Sequence, residues 1–322
     1  MRRGLVIGKF YPPHKGHKYL IDFAAQRVDH LVVVVCDRSD QEVSGKLRAQ
    51  WLRTIHPNVQ VIVVDDILKD EDSQAWAEYT EQFLSYTPDV VFTSENYGEN
   101  YARFLQCEHV LVDKARAVVP ISSTQIRANP LKCWGYLEPC VRGYFAKRVC
   151  VIGAESTGTT TMTEALADHY KTKWVAEYGR EYWEKLKSLS ENLKWDTKEF
   201  ILIAEEQNRR EDQLAQECHK VLFCDTDSFA TSIWHERYMG FHSPEVQKVS
   251  EGRRYDLYLL TDTDIPFVQD GTRDGERIRH WMHTKFEEEL KKHNKNYLLL
   301  SGAHEDRLKK AIQACNEVLG KF

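Results

Sequence analysis

At 322 residues the chain is long enough for about two domains, each with its own core. Its 44 Lys+Arg against 49 Asp+Glu give a formal charge of -5, which excludes the basic field of a general nucleic-acid binder. A composition of 42% hydrophobic and 29% charged residues excludes disorder and fibre.

The opening Met1-Arg2-Arg3-Gly4 leads straight into Leu5-Val6-Ile7, too short a run for the apolar core of a signal peptide. No stretch approaches the ~20 apolar residues of a membrane span, so a cytoplasmic protein without a membrane partner is expected. Strand candidates at 5–8, 31–36, 59–64, 90–93 and 109–112 alternate with helical stretches such as 17–28 and 74–86. Short continuous apolar runs interleaved with amphipathic segments mean βαβ units around a buried parallel sheet. Residues 129–144 hold two prolines, two glycines and aromatic side chains without a period, which reads as a domain boundary. The pattern then restarts with a strand at 148–153, a helix at 159–170 and strands at 221–224, 256–260 and 297–300. The expected class is α/β, with two parallel-sheet domains at residues 1–145 and 146–322. The eight cysteines form no CxxC pair and read as small core residues of a reducing compartment. Glu287/Lys291 and Glu288/Lys292, four apart near 286–293, read as a solvated helix face.

The stretch Gly8-Lys9-Phe10-Tyr11-Pro12-Pro13-His14-Lys15-Gly16-His17 follows the first strand and opens the first helix, at the sheet edge where α/β proteins bind ligands. His14 and His17 can both face a polyphosphate, Gly16 lets the backbone approach, and the helix N-terminus supplies donors. Downstream, Ile121-Ser122-Ser123-Thr124-Gln125-Ile126-Arg127 sets hydroxyls and helix-terminal amides ahead of an arginine, which suits a triphosphate. The two motifs together resemble the HxGH nucleotidyltransferase superfamily, with a Rossmann-like fold. With Cys36-Asp37-Arg38, residues 46–52 and Thr93-Ser94-Glu95-Asn96-Tyr97-Gly98, the first domain looks like a nicotinamide mononucleotide (NMN) adenylyltransferase of the NadR type.

That resemblance implies in-line attack of the NMN 5′-phosphate on the α-phosphorus of ATP, giving NAD and pyrophosphate without a covalent intermediate. Positioning and charge neutralisation then carry the step. It implies phosphate contacts from His14 and His17, with His17 stabilising the transition state, and neutralisation of the triphosphate by Lys9 and Arg127. Ser123 and Thr124 donate to the same phosphates, and Gly8, Phe10 and Gly16 form the ATP loop. Ser94, Tyr97, Trp51 and Trp76 are the NMN candidates, and each of the aromatic ones can equally be a core residue.

In the second domain, Gly153-Ala154-Glu155-Ser156-Thr157-Gly158-Thr159-Thr160 follows a strand and opens a helix. This is the frame of a Walker A phosphate loop, with Thr160 at the Mg²⁺ hydroxyl position, but Thr159 stands where that motif has lysine. Backbone amides can still cradle phosphates. The strand at 221–224 runs into Asp225-Thr226-Asp227, as expected for a metal site or general base, and residues 270–279 look like an arginine-bearing lid. With Glu177-Tyr178-Gly179-Arg180-Glu181, this half resembles the ribosylnicotinamide kinase domain of NadR-type bifunctional proteins, which phosphorylates nicotinamide riboside to NMN. The resemblance implies an ATP loop of Gly153, Ser156, Gly158, Thr159 and Thr160, lid charges from Arg273 and Arg277, and metal or base roles for Asp225 and Asp227. It further implies riboside contacts from Glu177 and Tyr178. Trp234 and Tyr238, four apart on one helical face, either hold the pyridinium by a cation–aromatic contact or pack in the core.

The resulting expectation is an enzyme of NAD biosynthesis and salvage that needs Mg²⁺, with ATP as co-substrate and NMN, nicotinamide riboside and NAD as its other small-molecule partners. Homo-oligomerisation is left open. The alternative is an active adenylyltransferase whose kinase-like domain only binds nucleotide and regulates. Some NadR-type proteins carry an N-terminal helix-turn-helix. Here the first strand begins at about the fourth residue, leaving no room for it, and with the acidic balance no nucleic-acid partner is expected.

Overall fold

Leu31 to Cys36 are buried without interruption in the strand His30–Asp37, as a strand must be when both faces of its sheet are covered. The cause is the unbroken apolar run Leu31-Val32-Val33-Val34-Val35-Cys36. The computed structural model describes residues 1–189, 195–269 and 276–320, and the chain divides into the units Met1–Arg142 and Gly143–Phe322.

Unit 1 alternates β1 (Arg3–Gly8), α1 (Lys15–Ala25), β2 (His30–Asp37), α2 (Gly45–Ile55), β3 (Gln60–Asp65), α3 (Ser73–Leu84), β4 (Val90–Thr93), α4 (Gly98–Phe104) and β5 (Glu108–Leu111). Helices α5 (Ser123–Ala128) and α6 (Pro139–Phe145) follow, the second reaching into unit 2. All strand pairs are parallel, in the order β3-β2-β1-β4-β5. The period of two sorts the side chains between two cores. Val6, Val33, Val35 and Phe92 pack with Leu20 and Ile21 of α1 and Leu52 of α2. Leu5, Ile7, Val32, Val34 and Val91 pack with Trp76 of α3 and Tyr101 of α4. The strand order reverses direction between β1 and β4, which opens a crevice at their C-terminal ends.

Unit 2 contains β6 (Lys147–Gly153), α7 (Thr159–Tyr170), β7 (Trp174–Val175), α8 (Tyr178–Leu189), α9 (Thr197–Glu217), β8 (Val221–Asp225), α10 (Ser228–Met239), α11 (Pro244–Val249), β9 (Leu257–Thr261), α12 (Arg279–Lys292), β10 (Tyr297–Leu300) and α13 (His304–Leu319). Its sheet is also parallel, in the order β10-β9-β6-β8-β7, and its central strand β6 delivers the chain into the phosphate-loop sequence. β7 is two residues long, too short to leave an apolar run in the sequence. On α12, Lys291 pairs with Glu287 at 2.9 Å as the spacing predicts, whereas Lys292 turns to Glu289 at 3.0 Å rather than to Glu288. The eight cysteines are free thiols. Among the described residues no helix is long and apolar enough to cross a membrane.

Candidate active sites

A cavity of about 770 Å³ occupies the crevice of unit 1, between the ends of β1 and β4. Gly8, Lys9, Phe10 and His17 line it from the first motif, Ser123 and Arg127 from α5, and Ser94, Tyr97 and Trp76 from the opposite side. A fully buried arginine, Arg48 of α2, ties this wall together. It donates to the carbonyls of Lys9 and Cys36, to Asp37 at 2.7 Å and to Gln41 at 2.5 Å. Ser122 caps α5 in a capping box with Gln125, so the hydroxyls and amides of the second motif are presented at a helix start. Ser123 donates to the Pro12 carbonyl at 3.2 Å and Arg127 to the Tyr11 carbonyl at 2.5 Å, which joins the two motifs.

The two histidines divide their tasks. The His14 ring folds back to cap α1, its Nδ1 accepting from the Gly16 N–H at 3.1 Å, and it stacks on His17 with ring centroids 3.8 Å apart. A Cβ on residue 16 would lie 2.9 Å from the His14 ring, so Gly16 makes room for that ring rather than for a ligand. Neither His14 nor Gly16 lines the cavity, which corrects the expectation that both histidines face it. His17 does line it, and its Nδ1 is buried without a hydrogen-bond partner. Burial, reinforced by Arg116, lowers the His14 pKa to about 4. Burial, His14 and Arg116 hold His17 well below the usual imidazole range. A neutral His17 ring in a cavity is a hydrogen-bonding group waiting for a partner.

Two further expectations change. Trp51 is buried on α2 away from the cavity, and its carbonyl receives the Cys140 thiol. Thr124 is exposed and accepts from Arg127 at 3.2 Å, so α5 turns it away from the cavity that Ser123 faces. Trp76 packs in the core and also lines the cavity, with its indole N–H on the Lys69 carbonyl. Tyr97 also lines the cavity while its hydroxyl donates to the Ile7 carbonyl at 3.0 Å, and burial raises its pKa. Arg38, Asp66 and Asp70 complete the wall. Lys9 contacts Asp70 at 2.7 Å and Asp66 at 3.7 Å, and Arg38 contacts Asp66 at 3.3 Å. Asp66 directly follows β3, and that position at the C-terminal sheet edge is the sequence signal that could have found it.

Unit 2 holds a narrower cavity, about 200 Å³, that joins a phosphate loop to an aromatic wall. Gly153, Ser156, Gly158, Thr159 and Thr160 line one end. Gly158 has φ +84°, a conformation glycine adopts without strain, and the next residue starts α7. At Gly153 a Cβ would fall 2.1 Å from Thr261 Oγ1, so β6 and β9 come this close only because the side chain is missing. Two buried arginines hold the loop by its carbonyls. Arg307 donates to Thr157 at 3.0 Å, and Arg279 donates to Ser156 at 3.3 Å. At the end of β8, Asp225 accepts from Thr160 Oγ1 at 2.5 Å. Glu177 lies on the same cavity, and burial together with Asp225 pushes its pKa up to about 7. Burial also raises Asp225, against the hydroxyls of Thr160 and Thr159.

Trp234 and Tyr238 of α10 line the other end, their rings stacked with centroids 6.2 Å apart. They are joined there by Trp183 and Trp195, stacked at 4.8 Å and 20°, and by Phe200. Asp227 is elsewhere: wholly buried, it caps α10 through the Ala230 N–H at 2.8 Å and accepts from the Tyr258 hydroxyl at 2.7 Å. Both its oxygens are therefore committed to the fold, which removes it from the metal or base role. Tyr178 also lies off the cavity, with the Arg210 guanidinium over its ring at 4.3 Å. Arg277 is exposed and does not line the cavity, and Arg273 lies outside the described residues.

Residues 5–129 match a family model described as cytidylyltransferase-like, and residues 148–307 match one described as an AAA domain. The trifunctional NAD biosynthesis/regulator protein NadR of Salmonella typhimurium is 29% identical over 99% of this chain and 83% of its own length. The chain is homologous to NadR. A crystal structure of NadR protein in complex with NR has the same fold, with TM-score 0.81 and 23% identity over 100% of this chain and 97% of that one. A NadR structure in complex with NAD and AMP-PNP gives TM-score 0.78 and 24% identity, with the same coverage. The homology to NadR thus spans both cavities, and both parallel sheets belong to the shared fold.

Proposed function

We propose that this NadR homologue makes NAD in two steps, one in each unit. In the first domain, residues 1–145, AMP passes from ATP to NMN with release of pyrophosphate. In the second, residues 146–322, the γ-phosphoryl of ATP passes to the 5′-hydroxyl of nicotinamide riboside, giving NMN. The observation that carries the reading is the unit 2 cavity, where a phosphate loop and an aromatic wall meet at the carboxyl groups of Glu177 and the buried Asp225. A kinase for a cationic aromatic nucleoside requires that combination of surfaces, and homology to NadR supports the same activities.

In the first domain the chemistry is positioning and charge neutralisation. The NMN phosphate oxygen bonds to the α-phosphorus as the bond to the bridging oxygen of pyrophosphate breaks. His17 donates to the phosphates from the neutral state, which avoids placing a fixed charge in a buried site. Lys9 and Arg127 balance the triphosphate, Lys9 exchanging its aspartate partners for it, and Ser123 adds a hydroxyl. Trp76 and Tyr97 flank the nicotinamide, with Ser94 beside them. His14 acts through His17, by holding the helix start and the neighbouring ring.

In the second domain the amides of 153–160 cradle the phosphates. Trp183, Trp195, Trp234 and Tyr238 present π faces to the pyridinium, an attraction of about 0.5–2 kcal/mol for each well-placed ring. Glu177 and Asp225 are the candidates to accept the 5′-hydroxyl proton. Mg²⁺ fits this end, because Thr160 and Asp225 already meet as a hydroxyl and a carboxylate, and one or two such ligands plus substrate phosphates are what Mg²⁺ takes. Bound there, it would neutralise charge on the transferring phosphoryl group.

Incubation with NMN, ATP and Mg²⁺ tests the first step. One pyrophosphate released per NAD formed is the expected result, and ADP or inorganic phosphate in place of pyrophosphate would contradict it.

A further inference from the structure

We propose that Arg180 supplies the cation that Thr159 withholds from the phosphate loop. This rests on the riboside-kinase reading above and concerns how that step proceeds in this chain. A phosphate-loop lysine balances the charge of the β- and γ-phosphates, and threonine has no charge to offer. Thr159, at the lysine position of that motif in sequence, opens α7 on the cavity wall.

Among the described residues lining that cavity there is one cationic side chain, Arg180, in the first turn of α8. It shares the wall with Thr159, Thr160, Glu177 and Asp225. Asp225 on that wall accepts from Thr160 Oγ1 at 2.5 Å. Arg180 therefore stands on the same wall as the residues at the γ-phosphate end. Arg279 and Arg307, each 3% exposed, bind loop carbonyls, and Arg277 does not line the cavity.

A guanidinium can give two parallel N–H bonds to phosphate oxygens, so one arginine can match a lysine's charge and add orientation. In the transfer, the 5′-oxygen of the riboside forms a bond to the γ-phosphorus while the bond to the β–γ bridging oxygen breaks. ADP leaves with that electron pair, and the hydroxyl proton passes to Glu177 or Asp225. Arg180 offsets the charge that develops on the bridging oxygen and balances the γ-phosphoryl oxygens.

The test measures riboside phosphorylation and, as a control of folding, NAD synthesis from NMN in the full chain. The proteins are wild type, Arg180→Ala, Arg180→Lys, Arg180→Ala with Thr159→Lys, and Arg273→Ala. Arg180→Ala should lower kcat for the riboside step by on the order of 10³-fold with NAD synthesis from NMN intact. Arg180→Lys should keep more of the rate, and Thr159→Lys should restore most of what Arg180→Ala loses, because it returns the cation from the other side. A rate within threefold of wild type for Arg180→Ala overturns the proposal. So does a loss that Thr159→Lys leaves unrelieved, or a loss in Arg273→Ala as large as that in Arg180→Ala. A wild type that makes NAD from NMN but leaves riboside untouched contradicts the kinase reading itself and this proposal with it.

Discussion

Replacing His17 with alanine should lower NAD synthesis from NMN by on the order of 10²- to 10³-fold and leave riboside phosphorylation unchanged. Its ring lines the unit 1 cavity, and its Nδ1 is buried there without a hydrogen-bond partner. Removal of a preorganised donor at a developing charge costs several kcal/mol of transition-state stabilisation, whereas the ground-state fold loses only one stacked ring. His14→Ala is the informative contrast. His14 caps α1 and props up His17, so its loss should cost about 1 kcal/mol of stability and a smaller part of the turnover. Steady-state assays on the two variants check this. Equal losses would return His14 to direct contact with the phosphates.

Thr160→Ala should abolish riboside phosphorylation, by on the order of 10²-fold or more, while NAD synthesis from NMN continues at the wild-type rate. On the proposed reading its hydroxyl and Asp225 hold Mg²⁺ in unit 2, and Asp225 is left without its 2.5 Å donor when the hydroxyl goes. Asp225→Asn should act in the same direction. Both activities are read on the same preparation, so intact NAD synthesis shows that unit 1 has folded, and a thermal melt compared with wild type checks unit 2. A change in NAD synthesis from NMN would instead favour a second domain that binds nucleotide and regulates the first.

The parts of both sites that were legible in sequence are those built from contiguous residues. The stretch 8–17 and the loop 153–160 each follow a strand and open a helix, so their backbone geometry is local and their position at a sheet edge follows from βαβ order. The parallel sheets were legible for the same reason, through apolar runs such as 31–36 that need cover on both faces. Side-chain direction was less legible. Asp225 and Asp227 look alike at the end of an apolar run. The second became a helix cap because α10 starts there and offers its free N–H groups. His14 turned inward because Gly16 leaves room for its ring, a fact of three dimensions hidden in a histidine spacing. The aromatic wall was only half visible. Trp234 and Tyr238 share a helical face, but Trp183 and Trp195 come from α8 and from the segment before α9, and only the tertiary fold brings those elements together. Arg180 belongs to the stretch 177–181, and only the cavity places it on one wall with Thr159.

The most direct test supplies the wild-type protein with nicotinamide riboside, ATP carrying a labelled γ-phosphate, and Mg²⁺, and follows the label by chromatography. The account predicts that label enters NMN first and then NAD, since the transferred phosphoryl becomes the NMN phosphate that attacks the second ATP. Riboside left unlabelled, while added NMN is still converted to NAD, would contradict a working kinase with threonine in the lysine position.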